Sequence, residues 1–162
     1  MHKTGPRPSP AMLRNPVHFL SLGFGSGLSP IAPGTAGTLA AIPLYLLLAK
    51  LDLVAYLVVT LSLFAIGVYL CELTSRELGG QDHPAIVWDE IVGYLITMMG
   101  VPPKIEWLVA GFLLFRLFDI LKPWPIRVLD RSIKGGLGIM LDDVLAGIFA
   151  ALILQCFFKF II

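Results

Sequence analysis

Charge is what this chain has least of. Only 14% of its 162 residues are Asp, Glu, Lys or Arg, against about 25% in a soluble globular chain. Hydrophobic residues make up 57%, above the roughly 45–50% of soluble domains, and the mean hydropathy is +0.85. A soluble protein of that composition lacks the polar side chains to cover its surface, so the expected solvent is lipid. An excess of one sign is lacking too. The net charge of +1 gives no global field for nucleic acid, and no basic run interleaved with aromatics occurs, so nucleic acid is excluded as a partner. Cysteine is scarce, and Cys71 and Cys156 show no CxxC spacing; neither a zinc site nor a disulfide framework is indicated. A secretory leader is not expected, because the first apolar stretch, VHFLSLGFG, is short and interrupted by glycine. Residues 1–14, rich in proline and basic residues, read as a flexible arm, which leaves 15–162 as a single helical domain.

What the chain has in abundance is apolar segments. A spanning helix needs about 20 apolar residues to cross a core roughly 30 Å thick. Segments 53–71 and 144–162 meet that requirement. Three others are shorter or marked: 38–49 contains Pro43, 85–101 opens with carboxylates, and 105–121 contains Glu106, Arg116 and Asp119. In this setting they read as tilted or broken spans. The expected fold is an all-α polytopic membrane protein with about five membrane-associated helices, some short or broken. Placing the N-terminus in the cytoplasm puts Lys3, Arg7, Arg14, Arg76, Arg116, Lys122, Arg127, Arg131 and Lys134 inside and only Lys50, Lys104 and Lys159 outside, as the positive-inside tendency favours.

Two apolar stretches carry adjacent acids: AIVWDEIVGYLITMMG (85–100) holds Asp89 and Glu90, and DDVLAGIFAA (142–151) opens with Asp142 and Asp143. Carboxylates near a membrane core are costly and face a protein interior, water or a cation. A single pair is equally well a helix cap favoured by the helix dipole. Two pairs on one predicted side, with Asp119 as a further acid, favour a site. Oxygen ligands without a His or Cys cluster suit Mg²⁺ or Mn²⁺, with Asp89, Glu90, Asp142 and Asp143 as candidate ligands. Asp89, Glu90, Asp119, Asp142 and Asp143 are the candidate catalytic groups, and the chemistry indicated is phosphoryl transfer or phosphate hydrolysis.

The segment FRLFDILKPWPI (115–126) supplies the complementary charge. Arg116, Asp119 and Lys122 follow one another at helical spacing, so Asp119 can touch both cations. Arg116 and Lys122 are candidate phosphate contacts; the alternative is an interfacial ladder of ion pairs. The stretch GFGSGLSPIAPGTAGT (23–38) lacks the Gly-Lys-Ser/Thr of a P-loop. Its hydroxyls, Ser26 and Thr35 among them, precede an apolar helix whose first N–H groups can bind an anion; a close-packing segment is the alternative. His83, in QDHPAIVWDE, is a candidate proton donor or phosphate contact, or a structural histidine before a helix.

These stretches carry a resemblance. NPVHFLSLGFGSGLSPIAPGTAGTLAAIP (15–43), IGVYLCE (66–72), DHPAIVWDEIVGYLIT (82–97) and FRLFDILKPWPIRVLDRSIKGGLGIMLDDVLAG (115–147) together resemble the phosphatidylglycerophosphatase A family of bacterial inner-membrane lipid phosphatases. The resemblance implies an all-α, Mg²⁺-dependent phosphomonoesterase of the cytoplasmic membrane. Its substrate would be the phospholipid phosphatidylglycerophosphate, and its metal and catalytic groups Asp89, Glu90, Asp142 and Asp143, with Asp119, Lys122 and Arg116 next in line. The rival from residues alone is a divalent-cation transporter or channel, since intramembrane acids also mark ion pathways. That rival expects acids spread in depth rather than gathered at one boundary.

Overall fold

The computed structural model describes residues 7–80 and 82–161, and among these every regular element is helical. The α-helices are α1 (Pro16–Ser21), α2 (Pro33–Leu48), α3 (Leu53–Glu77), α4 (Trp88–Thr97), α5 (Ile105–Leu121), α6 (Ile126–Ser132) and α7 (Gly135–Ile161). Short 3₁₀ turns cover Pro10–Arg14 and Gly23–Leu28. Part of the expected arm lies outside the described residues. Its described end is a turn capped by Ser9, with Met12 packed against the core.

Local chemistry sets several boundaries. Asp52 caps α3 by accepting from the N–H groups of Val54 and Ala55 at 2.9 and 3.0 Å. Pro33 opens α2, where a missing N–H costs nothing, so α2 begins earlier than segment 38–49 and takes in the end of the glycine-rich stretch. Lys122 ends α5 in the left-handed conformation, φ 42; for a residue with a Cβ this costs about 1–2 kcal/mol.

The centre of the molecule is α4. Trp88, Ile91, Val92, Tyr94 and Leu95 are all buried, and α2, α3, α5 and α7 pack around them. Its ten residues rise only about 15 Å, and its last turn is buried apart from a partly covered Ile96, where the final carbonyls have no partner within the helix. Side chains of the surrounding helices meet the carbonyls at and beyond this end. Tyr56 donates to the Leu95 carbonyl at 2.6 Å, Gln155 to Met99 at 2.9 Å and Tyr45 to Val101 at 2.6 Å.

The five apolar segments of the sequence correspond to α2, α3, α4, α5 and α7. Among the described residues two helices are long and apolar enough to cross a membrane, Leu53–Glu77 and Gly135–Phe160. Their apolar windows are only 22% and 50% buried inside the protein, so much of their greasy surface faces outward. Leu53, Val54, Val58 and Leu61 on α3, Leu113 and Leu117 on α5, and Leu152 and Phe157 on α7 are exposed. An apolar face of this extent marks contact with lipid or another apolar partner.

Candidate active site

Two glycines bring the acids together. A Cβ on Gly147 would lie 2.5 Å from the carbonyl of Gly93, and one on Gly93 would overlap the Phe115 ring. Helices α4 and α7 therefore cross at backbone contact. Asp89 precedes Gly93 by about one helical turn, and Asp143 precedes Gly147 by the same spacing. The close crossing thus sets one acidic turn of each helix against the other. Asp89, Glu90 and Asp143 each offer a carboxylate oxygen, and these oxygens lie within 4.8 Å of one another.

These acids share a cavity of about 160 Å³ with Asp82, Asp119, Lys122 and Asp142; Pro84 and Ile86 complete its lining. Lys122 donates from Nζ to Asp142 Oδ2 at 2.5 Å and to Asp130 Oδ1 at 2.9 Å. Burial alone would pull the Lys122 ammonium down. The charges of Asp142 and Asp130, and the bonds to both, outweigh it and raise its pKa. Arg116 pairs with Asp119 through Nη1, and the same atom stands 3.8 Å from Glu90 Oε1. A Cβ on Gly34, in the first turn of α2, would overlap Glu90 and meet both Arg116 Nη atoms. Glycine there lets the start of α2 reach this side of the site, where its dipole favours the Glu90 carboxylate.

The sequence-derived candidates divide cleanly by position. Asp89, Glu90, Asp119, Asp142, Asp143 and Lys122 line one cavity, and Arg116 braces it. Asp142 is turned to Lys122, whereas Asp143 joins the three-carboxylate cluster. Thr35 sits beside Gly34 in the first turn of α2. Ser26 spends its hydroxyl on the Gly23 carbonyl at 2.8 Å. His83 lines a neighbouring cavity, where its Nδ1 accepts from the Ala85 N–H at 3.2 Å. Burial lowers its pKa, partly opposed by the Asp82 charge.

Two acids were not among the sequence candidates. Asp82 lines the cavity from the segment ahead of α4 and is itself exposed to solvent. Asp130 holds Lys122. The signal for Asp82 was its place beside His83, a few residues before the first acidic pair.

Asp89 Oδ1, Glu90 Oε2, Asp142 Oδ1 and Asp143 Oδ2 are buried with no hydrogen-bond partner among the described residues. Buried carboxylate oxygens are normally paired or coordinate a metal. Four of them around one cavity, with no nitrogen or sulfur donor in the three-carboxylate cluster, fit a hard divalent cation. Arg116 Nε, also without a partner among the described residues, adds a donor suited to an anionic oxygen. The arrangement can hold a phosphate between a carboxylate-bound cation and fixed Lys and Arg charges.

Comparison with known proteins gives the same direction. The model of the family described as Phosphatidylglycerophosphatase A matches residues 19–158. The chain is 51% identical over 143 residues to Phosphatidylglycerophosphatase A of Escherichia coli (strain K12), which covers 88% of this chain and 83% of that protein. It is 48% identical over 143 residues to Phosphatidylglycerophosphatase A of Haemophilus influenzae, covering 87% of this chain and 88% of that one. No solved structure matches the chain.

Proposed function

This chain belongs to the phosphatidylglycerophosphatase A family, and from that premise we propose that it hydrolyses phosphatidylglycerophosphate to phosphatidylglycerol and inorganic phosphate. The observation that carries this reading is the set of carboxylate oxygens around one cavity that have no partner among the described residues, with Lys122 and Arg116 beside them.

The cation is Mg²⁺ in this reading, held by Asp89, Glu90 and Asp143 with Asp142 at the edge of the group. When bound there it supplies positive charge against the phosphoryl oxygens and acidifies water. The protein's own residues do the rest. Lys122, fixed between Asp142 and Asp130, presents its ammonium to the terminal phosphate. Arg116, held by Asp119, lies on the Glu90 side and stabilises charge on the equatorial oxygens, as positioned cations do in phosphoryl transfer. Asp119 orients Arg116 rather than touching substrate.

In the membrane, α3 and α7 cross fully, and α2, α4 and α5 enter as shorter helices around them, giving five membrane-associated helices. The acidic site then lies at the cytoplasmic face of the bacterial inner membrane, on the side that holds Arg76, Arg127 and Arg131. The transporter reading has no support: the acids gather at one end of the bundle and do not mark a path through it.

The test is direct. Purified protein in detergent is given phosphatidylglycerophosphate with Mg²⁺, and both products are counted. Equal amounts of phosphatidylglycerol and inorganic phosphate are expected, and Asp89→Asn abolishes both. Absence of phosphate release from a folded wild-type sample overturns the reading.

A further inference from the structure

The acidic cavity is not alone at its end of the molecule. A second cavity of about 560 Å³ adjoins it and shares two lining residues with it, Asp82 and Lys122. The rest of its wall is Ser75 on α3, Gly80 just after it, Asp130 on α6, and the α6–α7 junction with Lys134 and the first turn of α7. The two volumes differ in what they can accept. About 160 Å³ suits a phosphate and its counter-charges, whereas the remainder of a lipid head must lie outside it.

We propose that this adjoining cavity is a subsite for the phosphodiester and glycerol of the lipid head, with Lys134 reading the diester phosphate and Asp130 the glycerol hydroxyl. The proposal rests on the phosphatase reading above and deepens it by naming what selects the substrate. A phosphodiester anion next to a polyol calls for one cation and one acceptor. Lys134 Nζ donates to the Asp130 backbone carbonyl at 3.3 Å, and an ammonium has further donors to give. Asp130 gives one oxygen, Oδ1, to Lys122; a carboxylate has a second to accept a hydroxyl. Lys122 stands at the shared wall, between the terminal phosphate and the rest of the head.

The rim also fits. Ile133 and Ile139 line the cavity, and the neighbouring segments expose Trp124, Val128 and Leu137. An exposed tryptophan favours the headgroup level of a leaflet, beside which the acyl chains would remain in the bilayer. Beside the cavity α7 is fastened to α3: Glu72 Oε2 accepts from the Gly136 N–H at 2.6 Å, and a Cβ on Gly136 would collide with the backbone of α3. A further cavity, lined by Arg7, Ser29 and His83, shares Pro84 alone with the acidic cavity among the described residues. Among the described residues it offers no shared polar side chain to follow a substrate across.

Phosphatidic acid separates the two sites, because its phosphate monoester is joined directly to diacylglycerol with neither diester nor glycerol between. In one detergent, kcat/KM is measured for phosphatidylglycerophosphate and for phosphatidic acid, in wild type, Lys134→Ala and Lys134→Arg. Wild type is expected to prefer phosphatidylglycerophosphate. The preference falls about tenfold in Lys134→Ala, the scale of one charge-assisted hydrogen bond, and Lys134→Arg restores most of it. A wild type without preference, or a Lys134→Ala that loses both substrates equally, overturns the subsite. Lack of phosphate release from either lipid in wild type sinks the phosphatase reading itself, which is a separate outcome.

Discussion

Gly93 and Gly147 touch through their backbones where α4 crosses α7, and each lies one helical turn beyond an acid of the site. The crossing is therefore part of the chemistry: the spacing of the helices sets the spacing of the carboxylates. A methyl group at Gly147 would press on the Gly93 carbonyl and on the Ile96 side chain, 3.2 Å away. Overpacking of this kind costs about 1–3 kcal/mol, and separation of the helices relieves it. Gly147→Ala is expected to lower phosphate release at least about tenfold, the rate cost of a little over 1 kcal/mol in the barrier. Assay of the folded variant beside wild type checks this; equal rates would show that the crossing distance does not govern the site.

Gln155 is the first polar side chain of α7 after Asp143, and it donates to the Met99 carbonyl just past the end of α4. Its loss leaves a carbonyl unsatisfied in an apolar region. Gln155→Leu is expected to destabilise the protein by about 1–3 kcal/mol. Thermal unfolding in detergent reads this as a lower midpoint, and an unchanged midpoint would remove the capping role.

Much of the site was legible because charge is expensive in a greasy chain. Asp89, Glu90, Asp142, Asp143, Arg116, Asp119 and Lys122 stand out against their apolar neighbours, and all gather at one end. Asp82 and Asp130 did not stand out, because they lie in polar connecting stretches where a carboxylate needs no explanation. Sequence also cannot divide Asp142 from Asp143: both are acids on consecutive helix positions, and only the facing partner separates them, Lys122 for one and the acids of α4 for the other. The five apolar segments are present as helices. Their lengths were less readable, since a hydropathy run does not show that 85–101 would form only the ten-residue helix Trp88–Thr97 and bury it on all sides.

His83 gives a pH prediction. Burial lowers its pKa from the ordinary value of 6.5, so the folded chain refuses a proton that the unfolded chain accepts. This contribution to stability is present above pH 6.5 and is lost as the pH falls below it. His83→Asn keeps an acceptor for the Ala85 N–H, as an Asx turn does, and removes the proton uptake. Between about pH 7 and 5 the variant is expected to lose less stability than wild type; parallel losses in chemical denaturation would show that another group is responsible.

Orientation is tested by labelling. Cys71 is buried and Cys156 exposed, so Cys156→Ser gives a background with little reactive thiol. Added to it, Arg131→Cys and Lys104→Cys, both exposed positions, report on opposite ends of the bundle. In intact cells an impermeant maleimide is expected to label Lys104→Cys and not Arg131→Cys. The reverse pattern would invert the proposed topology.

The central claim is that Asp89, Glu90 and Asp143 hold a divalent cation. Mn²⁺ titrated into the purified protein, with the free ion read by electron paramagnetic resonance, measures this without substrate or turnover. The account predicts saturable binding in wild type that Mg²⁺ displaces, weakened at least about tenfold in Asp143→Asn. Wild type and Asp143→Asn leaving the same free Mn²⁺ at every point would contradict it.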